Sequence, residues 1–195
     1  MKLEEATERL AQFVTKEVYQ HSLRTSAFAV TLAERSGADP CKAAWAGLLH
    51  DVARCLENGA LLSRAQEMGI IVDRIERELP VLLHGRVGAE IARREFGVLD
   101  PEVLGAIAAH TTGGPDPGLL DKVVFIADKA EPGRHWSGVE TVRQMCLEDI
   151  HRAFVLCLGS AIQWLIENGK VIHPDSVEAW NKVVGAHGKD SGRVG

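Results

Sequence analysis

Two Asp-Pro steps, Asp39-Pro40 and Asp100-Pro101, most constrain how this chain can fold. Each couples a helix N-cap to a residue whose fixed φ suits a first helical turn. Apolar stretches of helical period follow both steps, and Gly37, Gly97 and Gly169 stand where left-handed stops are expected. The pattern predicts helices over about 3–16, 18–36, 40–56, 60–69, 82–96 and from 101 to near His110. Further helices are predicted over 119–130, about 139–168 and about 175–185, with TTGGPDPG (111–118) as a loop. The VVFI core of the 119–130 stretch has strand propensity. Its length and the neighbours at 121, 124, 125 and 128 suit a buried helix better. No repeat, linker or low-complexity segment divides the chain. The expectation is one all-α domain over 1–195, with a core over about 18–185 and a flexible tail over 186–195.

Composition narrows the setting. The chain is 46% hydrophobic and 25% charged, the balance of a soluble globular protein. No apolar run approaches the ~18–20 residues that cross a bilayer. The N-terminal MKLEEATERL lacks the basic-then-apolar order of a signal peptide, so a cytoplasmic protein with no membrane partner is expected. A net charge of −5 argues against binding a nucleic-acid polymer. A polyphosphate substrate is compatible with it, provided that metal ions and a few Arg or Lys side chains meet the phosphates in one cleft. Cys41, Cys55, Cys146 and Cys157 show no framework spacing and read as reduced thiols buried in helices.

The chemistry lies in polar residues set inside apolar stretches. His21, His50, His84 and His110 all occupy such stretches, and each alone reads more readily as a satisfied core or surface histidine. His50-Asp51 follows the small, apolar AAWAGLL, where an ionised carboxylate costs several kcal/mol unless compensated. A divalent metal would compensate it; a buried His–Asp hydrogen bond without metal is the competing account. Asp128 ends another apolar run, VVFIA, and repeats the anomaly. A set of imidazoles and carboxylates suits Fe, Mn, Zn or Co better than Mg or Ca. One helical turn separates Arg24 from His21 and Arg54 from His50, so either guanidinium could project beside a metal, and Lys129 and Arg134 closely follow Asp128. Arg24 and Lys129 read equally as solvated surface charge, Arg54 and Arg134 less so. His135, His151 and His187 read as surface residues, and Trp45, Trp136, Trp164 and Trp180 as packing.

The order His21, His50-Asp51, His84, His110, Asp128 resembles the H…HD…H…H…D pattern of HD-domain phosphohydrolases, and more closely their YqeK-type branch of symmetrical diadenosine-tetraphosphate hydrolases. HSLRTSAFAVTLA (21–33), KAAWAGLLHDVAR (42–54), LLHGRVGAEIA (82–92), AIAAHTTGG (106–114), FIADKAEPGR (125–134) and GKVIHPDSVEAWN (169–181) carry the resemblance. It implies a helical HD bundle holding iron or a similar metal, with Mn, Co or Zn as alternatives. His21, His50, Asp51 and Asp128 are the implied ligands of one ion. His84 and His110 then hold a second ion, bridged by Asp51, or contact substrate phosphates. Arg54, Arg134 and the 170–175 segment around His173 match positions that line a nucleotide site.

The implied reaction is symmetrical cleavage of diadenosine tetraphosphate to two ADP. Asp51 serves in the metal site, Arg54 and Arg134 stabilise charge on the phosphates, a histidine or Lys129 assists the leaving group, and Arg24 joins the substrate contacts. A nucleotidase or phosphodiesterase acting on another nucleotide, and a non-catalytic metal and nucleotide sensor, are the alternatives. Departures from the family pattern are Val52-Ala53-Arg54 after HD, PDPGLL after the HT loop, and Ala179-Trp180-Asn181 near the C-terminus; they bear on nucleotide preference more than on hydrolysis. The long apolar helix over 139–168 would support a homodimer.

Overall fold

A computed structural model describes the backbone of residues 1–190 and the side chains through residue 185. Eleven α-helices and no strand occur among the described residues: α1 (Leu3–Leu10), α2 (Lys16–Ser36), α3 (Pro40–Leu49), α4 (Asn58–Glu67), α5 (Arg74–Glu78), α6 (His84–Phe96), α7 (Pro101–Ala109), α8 (Leu119–Ala130), α9 (Val139–Met145), α10 (Ile150–Glu167) and α11 (Pro174–Asp190). A 3-10 turn over Pro80–Leu83 leads into α6. The VVFI stretch is helical, and no described helix is long and apolar enough to cross a membrane.

The punctuation read from sequence has visible causes. Asp39 accepts from the N–H groups of Cys41 and Lys42, and Asp100 from those of Glu102 and Val103. Gly37 and Gly97 close α2 and α6 in the left-handed region, at φ 81° and 68°. Two other glycines act through size. A Cβ on Gly47 would stand 2.8 Å from the Ser26 Cα, and one on Gly85 would stand 2.7 Å from the Ala108 carbonyl oxygen. Bare backbone there lets α2 lie hard against α3, and α6 against α7. The core fills behind these contacts with Leu32, Leu48, Leu49, Leu83, Ile107, Ile126 and the edge-to-face pair Phe125–Phe154.

Several boundaries differ from expectation. The first helix stops at Leu10, and the helix expected over 40–56 stops at Leu49. His50's own ring bonds the Gly47 carbonyl, the acceptor a continuing helix would use for Asp51, and the chain runs on in tight turns to Leu56. The short α5 was not foreseen; Asp73 and Glu76 build it through a reciprocal capping box. The helix expected over 139–168 is two, because the Asp149 carboxylate takes the N–H groups of His151 and Arg152 and opens α10 afresh. The single face expected to support a homodimer is thereby divided. α11 passes the expected end at 185, and 191–195 of the expected tail lie outside the described residues. Cys146 and Cys157 are buried as expected, whereas Cys41, in the solvent-side first turn of α3, and Cys55, in the turn after it, are exposed.

Candidate metal centre

Six polar residues from five segments meet in the core: His21 from α2, His50 and Asp51 past the end of α3, His84 opening α6, His110 past the end of α7, and Asp128 from α8. All six are at most 9% exposed. The two glycine contacts account for the closest approaches. α2 against α3 brings His21 Nε2 to 3.1 Å from His50 Nε2, and α6 against α7 brings His84 Nε2 to 3.0 Å from His110 Nε2.

Each ring is oriented from behind. His50 Nδ1 donates to the Gly47 carbonyl at 2.8 Å and His110 Nδ1 to the Ile107 carbonyl at 2.7 Å, so both rings fold back on the last turn of their own helix. His84 Nδ1 donates to the Val81 carbonyl, again three residues back. His21 Nδ1 instead donates to the Glu131 carboxylate at 3.1 Å. A proton fixed on Nδ1 leaves the Nε2 lone pair bare in the neutral ring, and all four Nε2 atoms point into one space.

Two carboxylates complete it. Asp51 divides its oxygens: Oδ1 faces His84 at 3.1 Å and His110 at 3.6 Å, while Oδ2 faces His50 at 3.6 Å and His21 at 4.0 Å. Asp128 Oδ1 lies 3.0 Å from His21 Nε2 and 3.6 Å from His50 Nε2. Burial alone would raise the Asp51 carboxyl, but His50, His110 and His84 draw it well below the usual carboxylate range. Burial likewise opposes ionisation of Asp128, and Lys129 with the rings of His21 and His50 overcomes it. Burial pushes His110 down to about 4 against the pull of Asp51. His50 goes the other way. Its burial disfavours a proton, yet Asp51 and Asp128 raise it above the ordinary value. The cluster demands positive charge. Crowded lone pairs and two ionised carboxylates supply only acceptors, which is the donor set a divalent transition ion requires.

Cations ring this centre unequally. Lys129 Nζ donates to the His110 carbonyl at 2.9 Å and to Asp128 Oδ2 at 3.1 Å. Arg134 donates to Asp128 Oδ1 at 2.8 Å, to the Asp128 carbonyl and to His21 Nε2. Arg54 stands exposed on the turn after α3 and lines, with Lys129, Arg134 and His173, a cavity of about 600 Å³ beside the cluster. Arg24 is not brought to that cavity; its guanidinium holds Glu131 at 2.7 and 3.1 Å. His173, on the α10–α11 connection, bonds Asp73 Oδ2 at 3.1 Å. His135 and His151 are exposed as expected, and the side chain of His187 lies outside those described. Trp45, Trp136 and Trp180 pack against the core as expected, Trp180 against Gly159; Trp136 also lines the cavity, as does Trp164, which is exposed rather than packed.

Sequence reasoning missed Glu131. It is 1% exposed, orients His21, and is held down to about 2 because Arg24, the Gly133 N–H and His21 outweigh its burial. Its signal was present: a third acid one turn past Asp128 on an apolar helix. Arg143 was missed too; its guanidinium caps the carbonyls of Ala130, Glu131 and Arg134 and so fixes the loop carrying two of these groups.

Comparison with known proteins agrees with this geometry. The HD domain matches residues 18–133. The chain is 34% identical over 171 residues to a protein of Halalkalibacterium halodurans named symmetrical bis(5'-nucleosyl)-tetraphosphatase, covering 88% of this chain and 91% of that one. It is 34% identical over 187 residues to the Bacillus subtilis protein of the same name, covering 94% and 98%. The crystal structure of an HD superfamily hydrolase from Clostridium acetobutylicum, described as involved in NAD metabolism, superposes with a TM-score of 0.91 at 33% identity, covering 95% of this chain and 98% of that one. The chain belongs to the HD-domain hydrolases, in the branch of the symmetrical bis(5'-nucleosyl)-tetraphosphatases.

Proposed function

We propose that the protein splits diadenosine tetraphosphate symmetrically into two ADP, using two metal ions that share Asp51. The divided carboxylate carries this reading: one oxygen faces His84 and His110, the other His21 and His50. His21, His50, Asp51 and Asp128 would hold one ion, and Asp51, His84 and His110 the other. Mixed imidazole and carboxylate donors suit Fe, Mn, Co or Zn better than Mg or Ca, and among these the family resemblance favours iron. A divalent ion in this cage supplies the Lewis acidity that makes water a competent nucleophile near neutral pH. A cytoplasmic setting suits the four free thiols, which stay reduced there.

The chain's own groups arrange the rest. Arg134 and Arg54 border the cavity where non-bridging phosphate oxygens gather charge, and Arg134 is anchored through Asp128 before substrate arrives. Lys129 Nζ, held by the His110 carbonyl and Asp128 and lying 3.8 Å over the Phe125 ring, borders the cavity and would set its positive charge beside the departing phosphate oxygen. Water attacks an inner phosphorus: a new P–O bond forms, the central bridging P–O bond breaks, and a proton passes to solvent. The test is elemental analysis of anaerobically purified protein with a product assay. Release of ADP alone is expected; ATP with AMP, or no product from metal-loaded protein, would overturn the reading.

A further inference from the structure

The cavity has two chemically different ends. Lys129 and Arg134 stand at the end beside Asp128. From there Cys157, Ser160, Ala161 and Trp164 line it along α10, one stripe at i, i+3, i+4 and i+7. Cys157 lies near enough to Lys129 and Asp128 to feel both charges, so the stripe begins at the cationic end. At ~1.5 Å of rise per residue, Trp164 follows roughly 10 Å further out. The small side chains between leave the space open.

Trp164 itself is 56% exposed, unlike a packing residue. Trp136, the other indole on the cavity, is packed against the core, with its N–H donating to the Lys129 carbonyl at 2.7 Å. Cations at one end and an uncovered aromatic face at the other match a nucleoside phosphate, whose anionic and π-rich parts lie at opposite ends. We propose that Trp164 is the stacking platform for a nucleobase of the half-substrate whose phosphates lie at Lys129 and Arg134. This rests on the functional reading above. Stacking accepts any base with a π-face, so the platform selects nucleotides over inorganic polyphosphates rather than one base over another.

The test measures binding of ADP and of inorganic tripolyphosphate to metal-loaded, full-length protein by calorimetry, for wild type, Trp164→Ala and Trp164→Phe. Removing the indole should weaken ADP about tenfold or more and leave tripolyphosphate unchanged, with the phenylalanine variant retaining most of the affinity. The KM for diadenosine tetraphosphate should rise in the alanine variant while kcat holds. Unchanged ADP affinity, or equal loss for both ligands, would overturn the proposal. Unchanged tripolyphosphate binding also reports an intact site. Wild-type protein that binds ADP through Trp164 but releases no ADP from the tetraphosphate would sink the functional reading and spare the platform.

Discussion

The two halves of the histidine–aspartate cluster are built from the same residue types but supported differently. On the His21–His50 side stand Asp128 and one oxygen of Asp51, with Glu131 behind His21 and Arg134 and Lys129 on Asp128. On the His84–His110 side only the other oxygen of Asp51 supplies charge, and both rings lean on backbone carbonyls three residues back. Two carboxylates neutralise a divalent ion more completely than one, and a charged partner raises the basicity of the ring it holds. The first half should therefore grip its ion more tightly, and the second should exchange.

Asp51→Ala would erase the contrast altogether. Both ions should be lost and turnover should fall by more than the ~10²–10³-fold typical of removing one electrostatic contact. Retention of either ion by elemental analysis would break the shared-carboxylate account. His110→Ala should separate the halves, halving the metal content and leaving the ion beside Asp128 in place; loss of both would refute their independence. Glu131→Gln should lower metal affinity about 10–100-fold at the first half alone, with turnover recovering as metal is added. Acid should release the ions in sequence, the first half first, because His50 lies above the ordinary imidazole value and takes up a competing proton sooner, while burial holds His110 down to about 4. Simultaneous release on a pH titration would count against the difference. Gly47→Ala is the mildest change: forcing α2 from α3 should cost about 1–3 kcal/mol, read as a lower Tm, and should loosen the first ion by parting His21 from His50, with ADP still the product.

Legibility in the sequence followed the range of the interaction responsible. Asp39, Asp100, Gly37 and Gly97 act within a turn of themselves, and the helix boundaries they set were readable. The cluster was readable because a buried charge in an apolar stretch is an anomaly wherever it occurs, and the structure brings all six of those residues together. The end of α3 at Leu49 was hidden because a side chain, His50, competes for a helix acceptor. Asp149, capping α10 within a run of helical period, hid the break there. Trp164 was read as packing because α10 turns it to a cavity that exists only once α8 and the α10–α11 connection are docked.

Three of the four imidazoles carry their tautomer lock within their own stretch of chain, at a carbonyl three positions upstream. A protein stripped of metal would thus keep most of its donor atoms aimed inward, and loading would be a capture rather than a refolding. The rate of reactivation would then follow the arrival of the ion, and an emptied protein could wait in readiness when metal is scarce.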